Sequence, residues 1–157
     1  MLKGVMPMNS AQEKNLEVRR IYNEHLGSSV VKALEANGFK ADYAPTSEEA
    51  VKKVLELVPE GSVVGVPGSS TIRELGLFET LQARGCKIFE HWDPSLAPED
   101  KSQRLEDEIT SDIFLSSSNG VTLDGKLVNI DGTGNRVAAM AWARNRIIFV
   151  VGINKVR

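Results

Sequence analysis

Apolar residues recur at roughly helical spacing from Leu16 through Ile21, Leu26, Val30, Val31 and Leu34. This predicts a long helix over residues 10–37, with Ser10 as its cap, Gly38 as its stop and Gly27 as a point where it can break in two. The segment FKADYAP (39–45) alternates like a strand, and Ser47 with Glu48 and Glu49 opens a helix through about Val58. Residues 62–66 are short, β-branched and apolar on both faces, the pattern of an interior parallel strand covered by helices on both sides.

The loop PGSS then leads into one helix, TIRELGLFETLQARG, with Ile72, Leu75, Phe78 and Leu81 on one face, followed by the strand KIFEH. Residues 94–110 are charged and weakly amphipathic, with Pro98, Glu99 and Asp100 marking a helix start, so they read as a surface helix with a solvated charged face. A strand begins at Asp112, and Asp124-Gly125 between VTL and KLVNI predicts a tight hairpin. A helix over about 134–143 leads into the interior-type strand RIIFVVG.

Strands alternating with helices predict an α/β fold: an open, mostly parallel mixed sheet with helices on both faces and one β-hairpin. The 157 residues fit one domain, with a helical segment at 10–37 and an α/β core at 38–157. The sequence ends directly after a strand, where a covering helix is expected; the bare face this implies predicts a homo-oligomer or an incomplete subunit.

Charge and cysteine content narrow the function classes. With 19 basic and 21 acidic residues the formal charge is -2, too little positive field for a nucleic-acid partner. The one cysteine, Cys86, and two histidines, His25 and His91, make neither an intramolecular disulfide nor a structural zinc set, so no metal is expected. Cys86 reads as a small buried hydrophobe, and a reducing, cytoplasmic location fits. The opening MLKGVMPMNS has no apolar signal core, and the longest apolar run, 147–151, is too short to span a bilayer, so no membrane partner is expected.

Two segments carry candidate chemistry. GVPGSST lies between an interior strand and a helix start, where Gly65 and Gly68 let a ligand approach the backbone. Ser69, Ser70 and Thr71 offer hydroxyls and amides, with Arg73 one turn on. It is neither a Walker loop nor a dinucleotide fingerprint. The bland alternative is a turn at Pro67-Gly68 with Ser69 or Ser70 capping the helix.

The second segment is NIDGTGNR, comprising Asn129, Ile130, Asp131, Gly132, Thr133, Gly134, Asn135 and Arg136. Few purely structural connections need so many side-chain donors, although Asp131 or Thr133 can simply cap the next helix. SSSNG (116–120) can line the same crevice or be a bulged strand. Asn154 and Lys155 sit beyond the last strand, where ligands bind in open α/β sheets. His91 and Trp92 end a strand, and an isolated histidine there reads as surface or capping. The two glycine-rich loops are expected to wall one crevice, with Asn135 and Arg136 facing an anion held by residues 69–71. Asp131 and, more weakly, Glu74 are the candidates for acid/base chemistry.

With these segments in view, VGVPGSSTIRELGL, DIFLSSSNGVTLDGKLVNIDGTGNRVAAM and VVGINKV, in that order, resemble the signature blocks of the LUD (lactate utilization) domain family. The resemblance covers most of residues 62–156, and the middle block is the most distinctive. It implies a fold similar to the group containing ribose-phosphate isomerases, glucosamine-phosphate deaminases and CoA transferases. It also implies a link with oxidation of L-lactate to pyruvate, alongside iron–sulfur subunits. Relatives commonly carry a further helix and in many cases a cysteine-bearing tail, which this sequence lacks. An iron–sulfur centre would therefore belong to a partner subunit, and the expected ligand is a small anionic metabolite. Two readings follow: an enzyme or enzyme subunit acting on a small phosphorylated or carboxylated metabolite, including a sugar-phosphate isomerase-like enzyme, or a non-catalytic module that binds such a metabolite or organises an iron–sulfur oxidoreductase complex.

Overall fold

A computed structural model describes residues 9–142 and 146–157. Helix α1, Ser10–Ala36, is unbroken and is capped by Asn9, one residue earlier than expected: Asn9 and Gln12 bond each other's backbone amides at 2.9 Å. Gly27 does not break it, because its bare Cα is where the Tyr43 ring packs; an added Cβ would lie 2.3 Å from Tyr43 Cδ2. The N-terminal half of α1 projects, leaving Leu16, Val18, Ile21 and Tyr22 exposed.

FKADYAP, expected as a strand, has no ladder partner and runs as an irregular connection whose Tyr43 rests on α1. Alternation alone cannot make a strand without a neighbour to bond. Helix α2, Ser47–Leu57, follows, with Thr46 as its cap. Strand β1 is Val63–Gly65. The single helix expected next is two, α3 (Ser70–Glu74) and α4 (Leu77–Ala83), because Gly76 takes a left-handed φ of 64° between them. Strand β2 is only Lys87–Phe89, so Glu90 and His91 lie beyond its end.

A 3₁₀ turn at Pro98–Asp100 leads into α5, Lys101–Thr110, then β3, Ile113–Ser116. The Asp124-Gly125 hairpin forms as expected, between β4 (Gly120–Val121) and β5 (Leu127–Val128), with Gly125 at φ 79°. Helix α6, Asn135–Trp142, and strand β6, Arg146–Phe149, complete the elements. The opening MLKGVMPM and Ala143, the expected last residue of the final helix, lie outside the described residues.

The α/β architecture is the expected open one. Four strands run parallel in the order β2-β1-β3-β6, and the antiparallel component is confined to the hairpin. Val64 and Val66 face α2, α3 and α4, packing with Val54, Val58, Ile72, Leu77 and Leu81. Cys86 is buried in the same cluster, as expected. Gly65, between the two valines, faces the other side and meets α5, which packs beside α6. Past β6 the chain makes a 3₁₀ turn at Ile153–Lys155, and Val156 bridges to Val121 of the hairpin. No described helix is long and apolar enough to cross a membrane.

This topology sets where side chains meet. From the end of β1 the chain turns outward to β2, and from the end of β3 it moves the opposite way to β6. The connections diverge between β1 and β3, and in open α/β sheets the carboxyl ends of two such strands enclose a crevice.

Candidate functional site

Lys155 occupies that divergence point. Its Nζ donates to Thr71 Oγ1 at 3.3 Å and to Ser117 Oγ at 3.1 Å, joining the loop after β1, the loop after β3 and the turn after β6. Ser117 is buried and Lys155 partly so. Among the described residues no carboxylate pairs with Lys155. A half-buried ammonium whose neighbours are two neutral hydroxyls leaves its charge uncompensated, which favours an anion alongside it.

The remaining residues of GVPGSST have structural partners. Ser69, 7% exposed, caps α3 by accepting from the Ile72 amide at 3.4 Å. Ser70 is exposed. Gly68 holds a left-handed φ of 61° under the Trp92 indole, where a Cβ would stand 2.6 Å from Cε2. Arg73 is ion-paired with Glu90 and stacked on Phe78 and Trp92, with ring centroids 5.3 and 5.7 Å from its guanidinium carbon. It lines a cavity of about 210 Å³ together with Phe78, Gln82, Ile88, Glu90 and Arg104, which does not include Lys155. Glu74 is exposed on α3. Because α3 is only five residues long, its dipole adds little, and the charge for an anion must come from Lys155.

In NIDGTGNR, Asp131 Oδ2 accepts from the Val137 amide at 3.0 Å, tying the loop to the first turn of α6. Burial pushes the Asp131 carboxyl up, but the amides of Val137, Arg136 and Thr133 and the Arg136 charge outweigh it, so it lies below the usual aspartate range. Arg136 donates to Asn119 Oδ1 at 2.7 Å and to the Ile130 carbonyl, linking this loop to SSSNG. Thr133 donates to Asn135 Oδ1 at 2.7 Å. Gly134 requires its φ of 83°, whereas Gly132 has open space around it. Asn129 Oδ1 is buried with no hydrogen-bond partner among the described residues. Asn154 is exposed and accepts at its carbonyl from Arg157.

Two expectations about charged residues are corrected. Residues 94–110 do not present a wholly solvated charged face, because Glu108 of α5 is completely buried. His91 is not isolated: its Nδ1 lies 2.7 Å from Glu108 Oε1, while Asn135 Nδ2 reaches Glu108 Oε2 at 3.4 Å. Burial pushes the Glu108 carboxyl up, and the His91 and Asn135 contacts only partly oppose that. The sequence carried one usable signal for His91, its place at the carboxyl end of a parallel strand. It carried none for Glu108, one of many charges on a polar helix.

The two glycine-rich loops are thus connected through intermediaries. Gly68 touches Trp92, whose neighbour His91 bonds Glu108, which Asn135 also approaches. On the other side, Thr71 and Ser117 share Lys155, and Asn119, two residues on, holds Arg136.

A model of the LUD domain family matches residues 28–157, taking in both loops, His91, Glu108 and Lys155. No curated protein and no solved structure matches the chain.

Proposed function

This chain belongs to the LUD domain family, and from that premise we propose that it serves lactate utilization by binding a small carboxylate, lactate or pyruvate, at Lys155. The reading is carried by the Lys155 ammonium, which has no carboxylate partner among the described residues and sits between Thr71 Oγ1 and Ser117 Oγ, where the connections from β1 and β3 diverge. A carboxylate there would gain a charge-assisted hydrogen bond from Nζ and neutral ones from the two hydroxyls.

Calorimetric titration with L-lactate, pyruvate and phosphate tests this. Lys155→Met keeps the length and removes the charge, and should weaken binding by about tenfold or more, roughly 1.5–3 kcal/mol. Binding unaffected by Lys155→Met, or no binding of any of the three anions, overturns the reading.

A second reading is a non-catalytic module of an iron–sulfur oxidoreductase complex, and Cys86 favours it. This lone thiol is buried against the Pro59 carbonyl, with Sγ to oxygen 3.6 Å, and cannot supply the thiolates of a cluster. Any electron acceptor would then reside on a partner subunit. Turnover of L-lactate by the isolated chain with an artificial electron acceptor would exclude this second reading.

A further inference from the structure

The His91–Glu108–Asn135 cluster has a chemistry that carboxylate binding alone does not use. Glu108 is fully buried, and its two oxygens meet His91 Nδ1 at 2.7 Å and Asn135 Nδ2 at 3.4 Å. When Glu108 is ionised its carboxylate can only accept, so the proton of this bond then sits on Nδ1, which leaves Nε2 of a singly protonated ring as an acceptor. The ring remains partly accessible, with 19% of its side chain exposed. It follows β2 at the carboxyl edge of the sheet, and the adjoining Trp92 rests on Gly68 of the loop whose Thr71 meets Lys155.

We propose that His91 distinguishes a hydroxy acid from its keto counterpart, its Nε2 accepting a hydrogen bond from the hydroxyl of a bound 2-hydroxy carboxylate. Glu108 is the positioning residue that fixes the ring and its tautomer. The inference rests on the reading that a small carboxylate occupies Lys155. An unprotonated Nε2 matches the hydroxyl of lactate, which donates, and mismatches the carbonyl of pyruvate, which only accepts.

Glu108 on α5 bonds the ring; the loop after β2 that carries His91 also carries Glu90 and Asp93, and Arg73 of α3 and Arg104 of α5 reach Glu90. Glu90 is ion-paired with Arg73, and its carbonyl accepts from Arg104. Asp93 is held low by Ser95 first, with smaller contributions from the charges of Arg104 and Arg73. Among the described charged groups, Glu108 is the one seen to bond the ring directly.

The test is paired titration of L-lactate and pyruvate at one pH, in the intact chain and in His91→Phe, with ¹⁵N resonances of the imidazole recorded alongside. The expected result is about tenfold preference for lactate over pyruvate in the intact chain. In His91→Phe both acids should bind with no preference between them. Nitrogen shifts should report a protonated Nδ1 and a bare Nε2, with the second tautomer appearing in Glu108→Gln, whose amide can present either oxygen or NH₂ to the ring.

A preference that persists in His91→Phe, or shifts showing Nε2 protonated in the neutral ring, overturns the inference while leaving the Lys155 reading intact. Failure of both acids to bind, or binding indifferent to Lys155→Met, overturns both.

Discussion

Gly65, the last residue of β1, lies so close to α5 that a Cβ added to it would stand 2.2 Å from the Glu108 carbonyl oxygen. The Ser111 hydroxyl, 2.7 Å from the same point, bonds that carbonyl and the Ile113 carbonyl at 2.8 Å each. The glycine therefore sets how closely α5 approaches the sheet, and with it the height at which the Glu108 carboxyl meets His91.

Gly65→Ala should destabilise the fold by roughly 1–3 kcal/mol, because the obstructing atoms are backbone and cannot swing aside. Gly132→Ala is the contrast: nothing lies within 4 Å of the added methyl, and its φ is outside the left-handed range. It should change stability by no more than about 0.5 kcal/mol. Urea denaturation of the two variants checks this. A loss of carboxylate binding in stably folded Gly132→Ala would show that the ligand, rather than packing, needs the small residue there.

Glu108 gives stability a specific pH dependence. Burial raises its folded carboxyl above the ordinary glutamate value, so between the two values the folded state holds a proton that the unfolded chain has released. Its contribution therefore falls as pH rises from the ordinary glutamate range through the raised folded value. Glu108→Gln, uncharged and nearly isosteric, should raise the melting temperature at neutral pH, with the gain vanishing below about pH 4. Thermal melts at both pH values decide it; a lower melting temperature at neutral pH would mean that the bond to His91 outweighs the cost of burial.

The parts of the fold that depend on local pattern were legible in the sequence. The apolar run at 62–66, the Asp124-Gly125 turn and the acidic start of α2 each declare themselves over a few residues. The rest depended on what lies opposite. Tyr43 alternates as a strand residue would, yet its ring fills the space over Gly27. Gly76 divides a continuous amphipathic run through its backbone conformation, which periodicity does not register.

Legibility of the candidate site follows the same division. Thr71 and Lys155 stand at strand ends, which topology brings together, and both were accessible to sequence reasoning. Glu108 was not, because one buried carboxylate on a helix otherwise rich in exposed charges has no sequence signature, and without it His91 reads as solitary.

Asp131 should behave oppositely to Glu108. Its carboxyl is held low, so its contribution is present above the ordinary aspartate value and is lost as pH falls through the lower folded value. Asp131→Ala should cost about 1 kcal/mol at neutral pH by freeing the Val137 amide at the start of α6, and less below pH 3. Guanidinium unfolding at the two pH values measures this. An equal cost at both would assign the loss to packing rather than to the charge.

Arg136 and Lys155 are both cations of the candidate site, but they differ in what already occupies their donors. Arg136 is engaged by Asn119 Oδ1 and the Ile130 carbonyl, two acceptors that fix the loop leading to α6. An anion would have to compete with these bonds, whereas at Lys155 it meets an ammonium that, among the described residues, bonds two hydroxyls. Arg136→Ala should therefore lower stability by about 1–2 kcal/mol through the lost loop bonds and weaken carboxylate binding less than Lys155→Met does. Lys155→Met should leave the melting temperature nearly unchanged, since a partly exposed ammonium bonded to neutral hydroxyls adds little to folding. Calorimetric affinities for L-lactate measured beside thermal melts separate the two roles. If Arg136→Ala proves the more damaging to affinity while the fold stays stable, the guanidinium turns toward the ligand on binding, and the anion lies nearer the start of α6 than the end of β1.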